Sequence, residues 1–229
     1  MNLNGSVGYV TGGQTGLGAS LTAYLLERGA TRVYTASRHP VDSGDSRIVP
    51  VELDVRDPEA VERSAREAQD VTILVNNAGV HLGTPLLSAD LADVREEFDT
   101  NTFGVLLMTR AFAPVLAANG GGAVLNVLAL LSWMSAGDAY SASKAAAWSM
   151  TNGLRAALLP AGTQVTALLV GFMDTPLTAG YDVPKSDPRA VAEAALSGVA
   201  DGRDEVLADE DSRRAKQLLS GPPAALVFG

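Results

Sequence analysis

The chain contains no cysteine and only two histidines, His39 and His81, which lie far apart in sequence. Without cysteine there is no disulfide, no thiolate nucleophile and no cysteine-based metal site. Two distant histidines are too few for a zinc site, so we expect no bound metal and interpret each histidine as a loop residue. The absence of cysteine also fits a reducing compartment, and we expect a cytoplasmic protein.

Positive charge and long apolar runs are scarce as well. The chain has 17 Lys and Arg against 26 Asp and Glu, a net charge of −9, which disfavours nucleic acid as a partner because that affinity comes from cations on phosphates. No apolar run reaches the roughly 18 residues of a membrane span. The start, Met1–Asn4, lacks the basic region of a signal peptide. We therefore expect neither a nucleic acid nor a membrane as partner.

Short apolar, β-branched runs alternate with helical patterns along all 229 residues. The runs predict strands at Val7–Thr11, Arg32–Ala36, Ile48–Leu53, Val71–Asn76, Ala123–Leu128, Gln164–Val170 and Glu205–Leu207. The patterns between them predict helices at Gly16–Arg28, Pro58–Ala68, Ala92–Ala118, Ala139–Leu159 and Pro188–Ala200. Apolar strands of this kind are covered by helices on both faces. The sequence therefore predicts one α/β domain over residues 1–229, a doubly wound, Rossmann-type parallel sheet of about seven strands.

The segment Thr11-Gly12-Gly13-Gln14-Thr15-Gly16-Leu17-Gly18 joins the first predicted strand to the first helix. Glycines permit a tight turn and let the backbone approach a pyrophosphate, whose charge a helix N-terminus favours. The spacing G-x-x-x-G-x-G in this context predicts a dinucleotide site. The alternative is a tight strand–helix junction without a ligand.

The second predicted strand runs into Ser37 and Arg38, where an acidic residue would bind the ribose of NAD. No acid stands there, and the planar guanidinium of Arg38 suits a phosphate. We therefore predict NADP, with NAD as the less favoured cofactor; a solvated loop arginine is the alternative. Asp54, followed by Val55, is a candidate acceptor for the adenine amine or a simple turn residue.

Tyr140 and Lys144 are four residues apart on a predicted helix and therefore share one face. A free phenol titrates near about 10, and a fixed positive charge favours the phenolate and lowers that pKa. The pair predicts that Tyr140 is a general acid and base. Taken alone, the same spacing also fits a solvated helix face.

Several motifs in this order resemble the short-chain dehydrogenase/reductase family. They are the glycine segment at 11–18, Asp54, Asn76-Asn77-Ala78-Gly79, Asn101, Tyr140-x-x-x-Lys144, and Gly171 with Thr175. The resemblance implies hydride transfer between nicotinamide and a carbonyl or carbinol carbon of a small substrate. It implies that Tyr140 moves the proton, that Lys144 lowers the pKa of the phenol and holds the nicotinamide ribose, and that Asn101 serves a proton relay.

The resemblance also implies a cofactor-binding set and an assembly. The set is Gly12, Gln14, Thr15, Gly16, Leu17, Gly18, Ser37, Arg38, Asp54, Val55, Asn77, Ala78, Gly79, Tyr140, Lys144, Gly171, Met173 and Thr175. The family pairs helices like Ala92–Ala118 and Ala139–Leu159 across a two-fold axis, so a homodimer or homotetramer is expected. The apolar tail at 222–228 is expected to dock, either on a partner or within its own chain.

The pattern departs from the family at two positions. Val170 replaces the proline usual before Gly171, and Ala129 stands where the family has its catalytic serine. Ser132 is the candidate replacement for that hydroxyl; the alternative is a loop serine. Loss of one donor to the reacting oxygen costs about 10²–10³ in rate. The sequence thus leaves open a second interpretation, a nucleotide-binding protein of this fold with weak or no redox activity, such as a sensor, a scaffold or a non-redox enzyme.

Overall fold

A computed structural model of the protein describes residues 1–228, so Gly229, the last residue of the predicted domain, lies outside the described residues. Seven parallel strands form one sheet in the order β3-β2-β1-β4-β5-β6-β7. They are β1 (Val7–Thr11), β2 (Arg32–Ser37), β3 (Ile48–Glu52), β4 (Ile73–Asn76), β5 (Ala123–Val127), β6 (Gln164–Leu169) and β7 (Glu205–Leu207). The prediction of an α/β fold with a doubly wound parallel sheet is confirmed.

Within residues 1–228, seven α-helices surround the sheet. They are α1 (Gly16–Glu27), α2 (Pro58–Glu67), α3 (Leu91–Phe98), α4 (Gly104–Ala118), α5 (Ala139–Leu158), α6 (Pro188–Ala200) and α7 (Glu210–Leu218). The sequence prediction missed α7. Its signal was present, because Asp209 precedes an acidic first turn and its side chain accepts a hydrogen bond from the backbone N–H of Ser212, as an N-cap does.

Alternate residues of the strands face two helical layers, as the pleat requires. On one face Val10 packs in the same core as Leu21 of α1 and Leu196 of α6. On the other, Tyr9 packs in a core with Phe112 of α4. A smaller core under α5 and α7 contains Trp133, Ala147 and Ala215. The carboxyl ends of the strands therefore open between the two layers, where ligands of such sheets bind.

The predicted helix over Ala92–Ala118 is a composite. A π-helical turn, Asp99–Phe103, joins α3 to α4, and π-helical turns occur often at functional sites. By length and composition Leu91–Ala118 is apolar enough to cross a membrane, but half of its most apolar stretch is buried in the fold. It packs as a core helix against α2 and the sheet.

The apolar tail docks within its own chain. The N–H of Phe228 donates to the Ser135 carbonyl and the N–H of Ser135 donates to the Leu226 carbonyl, both at 2.8 Å. Ser135 and Val227 thus form a parallel bridge beside the β5–α5 loop. The homodimer or homotetramer stays a prediction, as does the pairing of α4 and α5.

Candidate active site

The turn after β1 is held by close backbone packing. A Cβ on Gly18 would lie 2.0 Å from the Gly12 carbonyl oxygen, so only glycine lets the first turn of α1 approach that turn. The Asn77 amide, at the end of β4, donates to the carbonyls of Thr11 at 2.9 Å and Gly12 at 3.2 Å. The turns after β1 and β4 therefore form one rigid edge.

The N-terminus of α1 differs from those of its neighbours. Aspartate side chains cap α2, α3, α5, α6 and α7. At α1 the cap position is Thr15, which makes no side-chain cap bond, and the first turn carries no acidic residue. The backbone N–H groups of this turn are thus left for an anion. Gly16 has a φ of +50°, and a Cβ there would lie 3.2 Å from the Thr175 side chain.

The end of β2 presents Ser37 and Arg38 to the same cleft. Within residues 1–228 the Arg38 guanidinium makes no hydrogen bond or ion pair, so it is available to a phosphate. Gln14 lies behind this edge and does not line the cleft. Its amide donates to the Val41 carbonyl at 2.7 Å and accepts from the Val41 N–H at 2.9 Å, which fixes the loop after Arg38.

Asp54, after β3, lines the cleft with Val55. Its carboxylate already accepts from the Arg56 guanidinium at 2.7 Å. Hydrogen bonding to Arg56 holds the pKa of Asp54 below its ordinary value. Arg56 also lines the cleft and bonds Glu96 at 3.0 Å. Asp54, the adenine acceptor predicted from the sequence, is therefore already paired with Arg56. No motif in the sequence predicted this ion pair.

These edges enclose a cleft of about 380 Å³ at the carboxyl ends of the strands. Of the predicted cofactor residues it is lined by Gly12, Thr15, Gly16, Leu17, Ser37, Arg38, Asp54, Val55, Asn77, Ala78, Gly79, Tyr140, Lys144, Met173 and Thr175. Gln14, Gly18 and Gly171 do not line it. The lining residues outside the predicted cofactor set are Ala36, Leu53, Arg56, Val80, Thr100, Val127, Leu128, Pro176 and Leu177. Most are apolar, and four of them (Ala36, Leu53, Val127 and Leu128) lie at strand ends, which carry no motif.

Tyr140 and Lys144 lie on the first two turns of α5 and face this cleft. The Lys144 ammonium is 5.7 Å from the centre of the Tyr140 ring and donates to the Val127 carbonyl at 3.0 Å. Burial lowers the pKa of Lys144 to about 8. The pair therefore shares one face, as the spacing predicts, with the ammonium anchored to the end of β5.

The predicted lowering of the Tyr140 pKa is not found in the chain alone. Burial raises the pKa of the phenol, and the negative charges of Asp138 and Glu97 raise it further. Lys144 does not overcome these effects from its position beside the ring. Within residues 1–228 the phenol oxygen makes no hydrogen bond, so it is free to meet a substrate.

Asn101 lies in the π-helical turn and is buried. Its side chain pairs with both backbone groups of Val80 at 2.9 Å and donates to Ser143 at 3.0 Å. A Cβ on Gly79 would meet the Asn101 oxygen at 3.1 Å and the Lys144 ammonium at 3.6 Å. Asn101 thus joins the edge after β4 to α5, close to the lysine.

The structure does not bring Ser132 to the cleft. A 3₁₀ turn, Leu130–Ser132, follows β5, and the buried Ser132 hydroxyl accepts the N–H of Ala129 at 3.4 Å. Gly171, also predicted at the site, instead donates its N–H to the Asp209 carboxylate at 2.6 Å. The geometry therefore offers no hydroxyl from this turn in place of the serine absent at Ala129.

An aromatic series continues from the phenol away from the cofactor edge. The His81 ring lies 4.6 Å from the Tyr140 ring, and the Tyr181 ring stacks on His81 at 6.1 Å. Phe172 follows at 5.1 Å from Tyr181, and Phe228 of the tail at 6.3 Å from Phe172. His81 lies in a loop, as predicted from the sequence. Its ring contacts did not follow from the sequence, because its neighbours come from distant parts of the chain.

Comparisons with known proteins agree with this geometry. The family model described as short chain dehydrogenase matches residues 6–184. A solved short chain dehydrogenase from Burkholderia cenocepacia, in complex with NADP, is 41% identical and superposes with a TM-score of 0.93 over 99% of this chain and 97% of that one.

Two curated relatives are similar over most of their lengths. An uncharacterized oxidoreductase of Staphylococcus saprophyticus is 30% identical over 86% of this chain and 92% of its own. The 1-deoxy-11-beta-hydroxypentalenate dehydrogenase of Streptomyces exfoliatus is 33% identical over 81% of this chain and 74% of its own. Fold, cleft and relatives thus lead to one assignment: the chain belongs to the short-chain dehydrogenase family of NAD(P)-dependent oxidoreductases.

Proposed function

We propose that the protein is an NADP-dependent oxidoreductase that transfers a hydride between nicotinamide and a ketone or aldehyde, with Tyr140 as general acid and base. The observation that carries this proposal is the cleft itself. It places Tyr140 and Lys144 at one end and the uncapped N-terminus of α1 at the other. A pyrophosphate on that helix end would leave the reactive ring beside the phenol.

The choice of NADP is supported by the end of β2. Ser37 and Arg38 stand where NAD requires a carboxylate, and the guanidinium of Arg38 is unpaired within residues 1–228. The Burkholderia cenocepacia relative, at 41% identity, was solved with NADP. The residues present therefore fit a 2′-phosphate better than a free 2′-hydroxyl. We propose NADP as the cofactor, with NAD second.

When bound, the reduced dinucleotide supplies the hydride and, once oxidised, a positive charge close to the phenol. Tyr140 gives its proton to the carbonyl oxygen as the carbon accepts the hydride, which leaves an alcohol and a phenolate. The nearby ammonium of Lys144 stabilises that phenolate. Asn101 holds the edge at Val80 and Gly79 against α5, and solvent returns the proton to Tyr140 in this scheme.

The test is NADPH oxidation with a panel of activated ketones and aldehydes, run on the wild type and on Tyr140→Phe. We expect turnover in the wild type and a loss of about 10³-fold in the variant, the middle of the range for a general acid. The phenylalanine retains the ring packing against His81, so the affinity for NADPH should stay within about threefold. Tight NADPH binding by the wild type without turnover of any carbonyl would overturn the proposal.

A second function, nucleotide binding without redox turnover, is favoured by one observation. No hydroxyl of the turn after β5 reaches the cleft, because residue 129 is alanine and the Ser132 hydroxyl accepts the N–H of Ala129. Ala129→Ser distinguishes the two. A large gain from a near-zero rate would mean that the natural chain is a binder on a competent scaffold. High wild-type activity with little gain would mean that another group supplies the missing contact.

A further inference from the structure

His81 lies against the catalytic phenol. Its ring centre is 4.6 Å from that of Tyr140, with the two planes inclined at 40°. It follows Val80, which lines the cleft, and its side chain is 16% exposed. The imidazole itself does not line the cofactor cleft; it lies next to Val80 and contacts the rings of both Tyr140 and Tyr181.

Asp138 fixes the orientation of this ring. The His81 Nε2 lies 3.3 Å from Asp138 Oδ2, and that carboxylate is 13% exposed. The other carboxylate oxygen accepts from the Ser141 N–H at 2.9 Å and its hydroxyl at 2.6 Å, so Asp138 is also the N-cap of α5. A carboxylate partner on one nitrogen sets the tautomer and orientation of an imidazole. Nδ1 is left for another partner.

The segment that carries His81 is held from both sides. The buried Glu97 accepts the Leu82 N–H at 2.7 Å. The Ala139 N–H donates to the Thr84 carbonyl at 3.0 Å, which ties the segment to the start of α5. His81 and Tyr140 are thus fixed to the same helix end, and the position of the imidazole is a property of the fold.

The proposed reaction lacks a second hydrogen-bond donor to the substrate oxygen, and an imidazole can supply one. A developing alkoxide needs more than one preorganised donor. Tyr140 is one donor; residue 129 has no hydroxyl, and the Ser132 hydroxyl, which accepts the N–H of Ala129, does not line the cleft. His81 is a second polar side chain beside the Tyr140 ring, in addition to Lys144.

We infer that His81 is a further catalytic residue, whose Nδ1–H donates a hydrogen bond to the substrate oxygen in place of the hydroxyl absent at Ala129. The inference rests on the proposed function. The donor form is the imidazolium, because Nε2–H is directed to Asp138. His81 only donates the hydrogen bond, and Tyr140 still transfers the proton.

Three ionisable side chains face the His81 ring: Asp138 and Tyr140 from α5, and Tyr181 from the segment after β6. Glu97 of α3 lies behind the loop at Leu82. In the donor form, with hydrogens on both ring nitrogens, the imidazole places a positive charge opposite the developing alkoxide.

The test is a double-mutant cycle of His81→Phe and Ala129→Ser, assayed with NADPH and an activated ketone. Phenylalanine keeps the packing on Tyr140 and removes the donor. We expect His81→Phe to lower kcat about 10²–10³-fold, with the NADPH Kd unchanged within about threefold. Adding Ala129→Ser to that variant should restore at least about tenfold, because the serine supplies the same contact. A purely structural role of His81 would not be rescued by a hydroxyl on another loop.

Asp138→Asn sharpens the test, since asparagine caps helices well but offers no carboxylate to hold the ring. We expect about a tenfold loss in kcat, with the NADPH Kd unchanged within about threefold. Where thermal melting shows that His81→Phe is unfolded, His81→Leu, which also has no donor, takes its place in the cycle.

The outcomes separate this inference from the proposed function. An active wild type with His81→Phe or His81→Leu within about threefold of its kcat would overturn the role of His81 and leave the function intact. A loss that Ala129→Ser does not recover would also overturn it. A wild type that binds NADPH but reduces no carbonyl would refute both.

Discussion

The two halves of the cleft are built by different kinds of contact. In the cofactor half, formed by the turns after β1, β2 and β4, the backbone packs closely at Gly12, Gly16 and Gly18, and the Asn77 side-chain amide donates to two backbone carbonyls. In the proposed substrate half, beside the β5–α5 loop, the segment after β6 and the tail, the contacts join side chains of distant segments, such as Phe172 and Phe228. The first half is therefore fixed mainly by backbone packing, and the second by side-chain packing.

Lys144 belongs to both halves, and its removal should have the largest effect. Lys144→Met keeps the length of the side chain and removes the ammonium beside Tyr140. We expect kcat/KM for an activated ketone to fall about 10²–10³-fold, because the phenolate loses its nearest cation. Steady-state kinetics with NADPH checks this. A loss confined to the KM for NADPH would mean that Lys144 serves only the cofactor half.

Lys144→Met also tests the burial of the Lys144 ammonium, through the pH dependence of the free energy of unfolding. Burial lowers the pKa of Lys144 to about 8, whereas an unfolded lysine titrates near about 10.4. Between these values the unfolded chain binds more protons than the folded one, so the free energy of unfolding rises with pH. Relative to Lys144→Met, the wild type should gain about 2 kcal/mol from pH 8 to pH 10 and show a flat difference below pH 7. Urea unfolding measures it, with Lys185→Met as the control for a less buried lysine.

The sequence predicted the cofactor half of the cleft better than the proposed substrate half. The strands were predicted to within two residues, and the cleft edge at Gly12, Asn77 and Tyr140 was identified, because turns and i, i+4 spacings are local. The contact of His81 with Asp138 spans 57 residues, and Phe172 meets Phe228 across the tail. No periodicity encodes such pairs. Ser132 was proposed from its distance along the chain, and the 3₁₀ turn directs its hydroxyl to Ala129 instead.

Arg38 tests the cofactor half directly, with a smaller expected effect. Arg38→Ala should weaken NADPH binding about 10–100-fold, since a charged hydrogen bond contributes about 1.5–3 kcal/mol, and leave NADH binding within about threefold. Titration calorimetry with both dinucleotides measures the change. Arg28→Ala, at the far end of α1, is the control for losing one positive charge. Equal losses for both cofactors would show that Arg38 shapes the turn and does not read the phosphate.

Gln14 belongs to the predicted cofactor set but does not line the cleft, and it acts from behind the wall. Its amide pairs with both backbone groups of Val41, at 2.7 and 2.9 Å, and so fixes the loop that follows Arg38. Gln14→Ala removes both bonds, each of which contributes about 0.5–1.5 kcal/mol. Because the loop and not the ligand loses its support, we expect only a two- to fivefold weakening of NADPH binding and no change for NADH. In an Arg38→Ala background the substitution should add nothing, since the guanidinium that it positions is already gone. A further loss of NADPH affinity in that double variant would instead indicate direct contact between Gln14 and the dinucleotide, as the sequence motif alone suggests. The cofactor half would then also depend on side-chain contacts, and the two halves of the cleft would differ less than their contacts indicate.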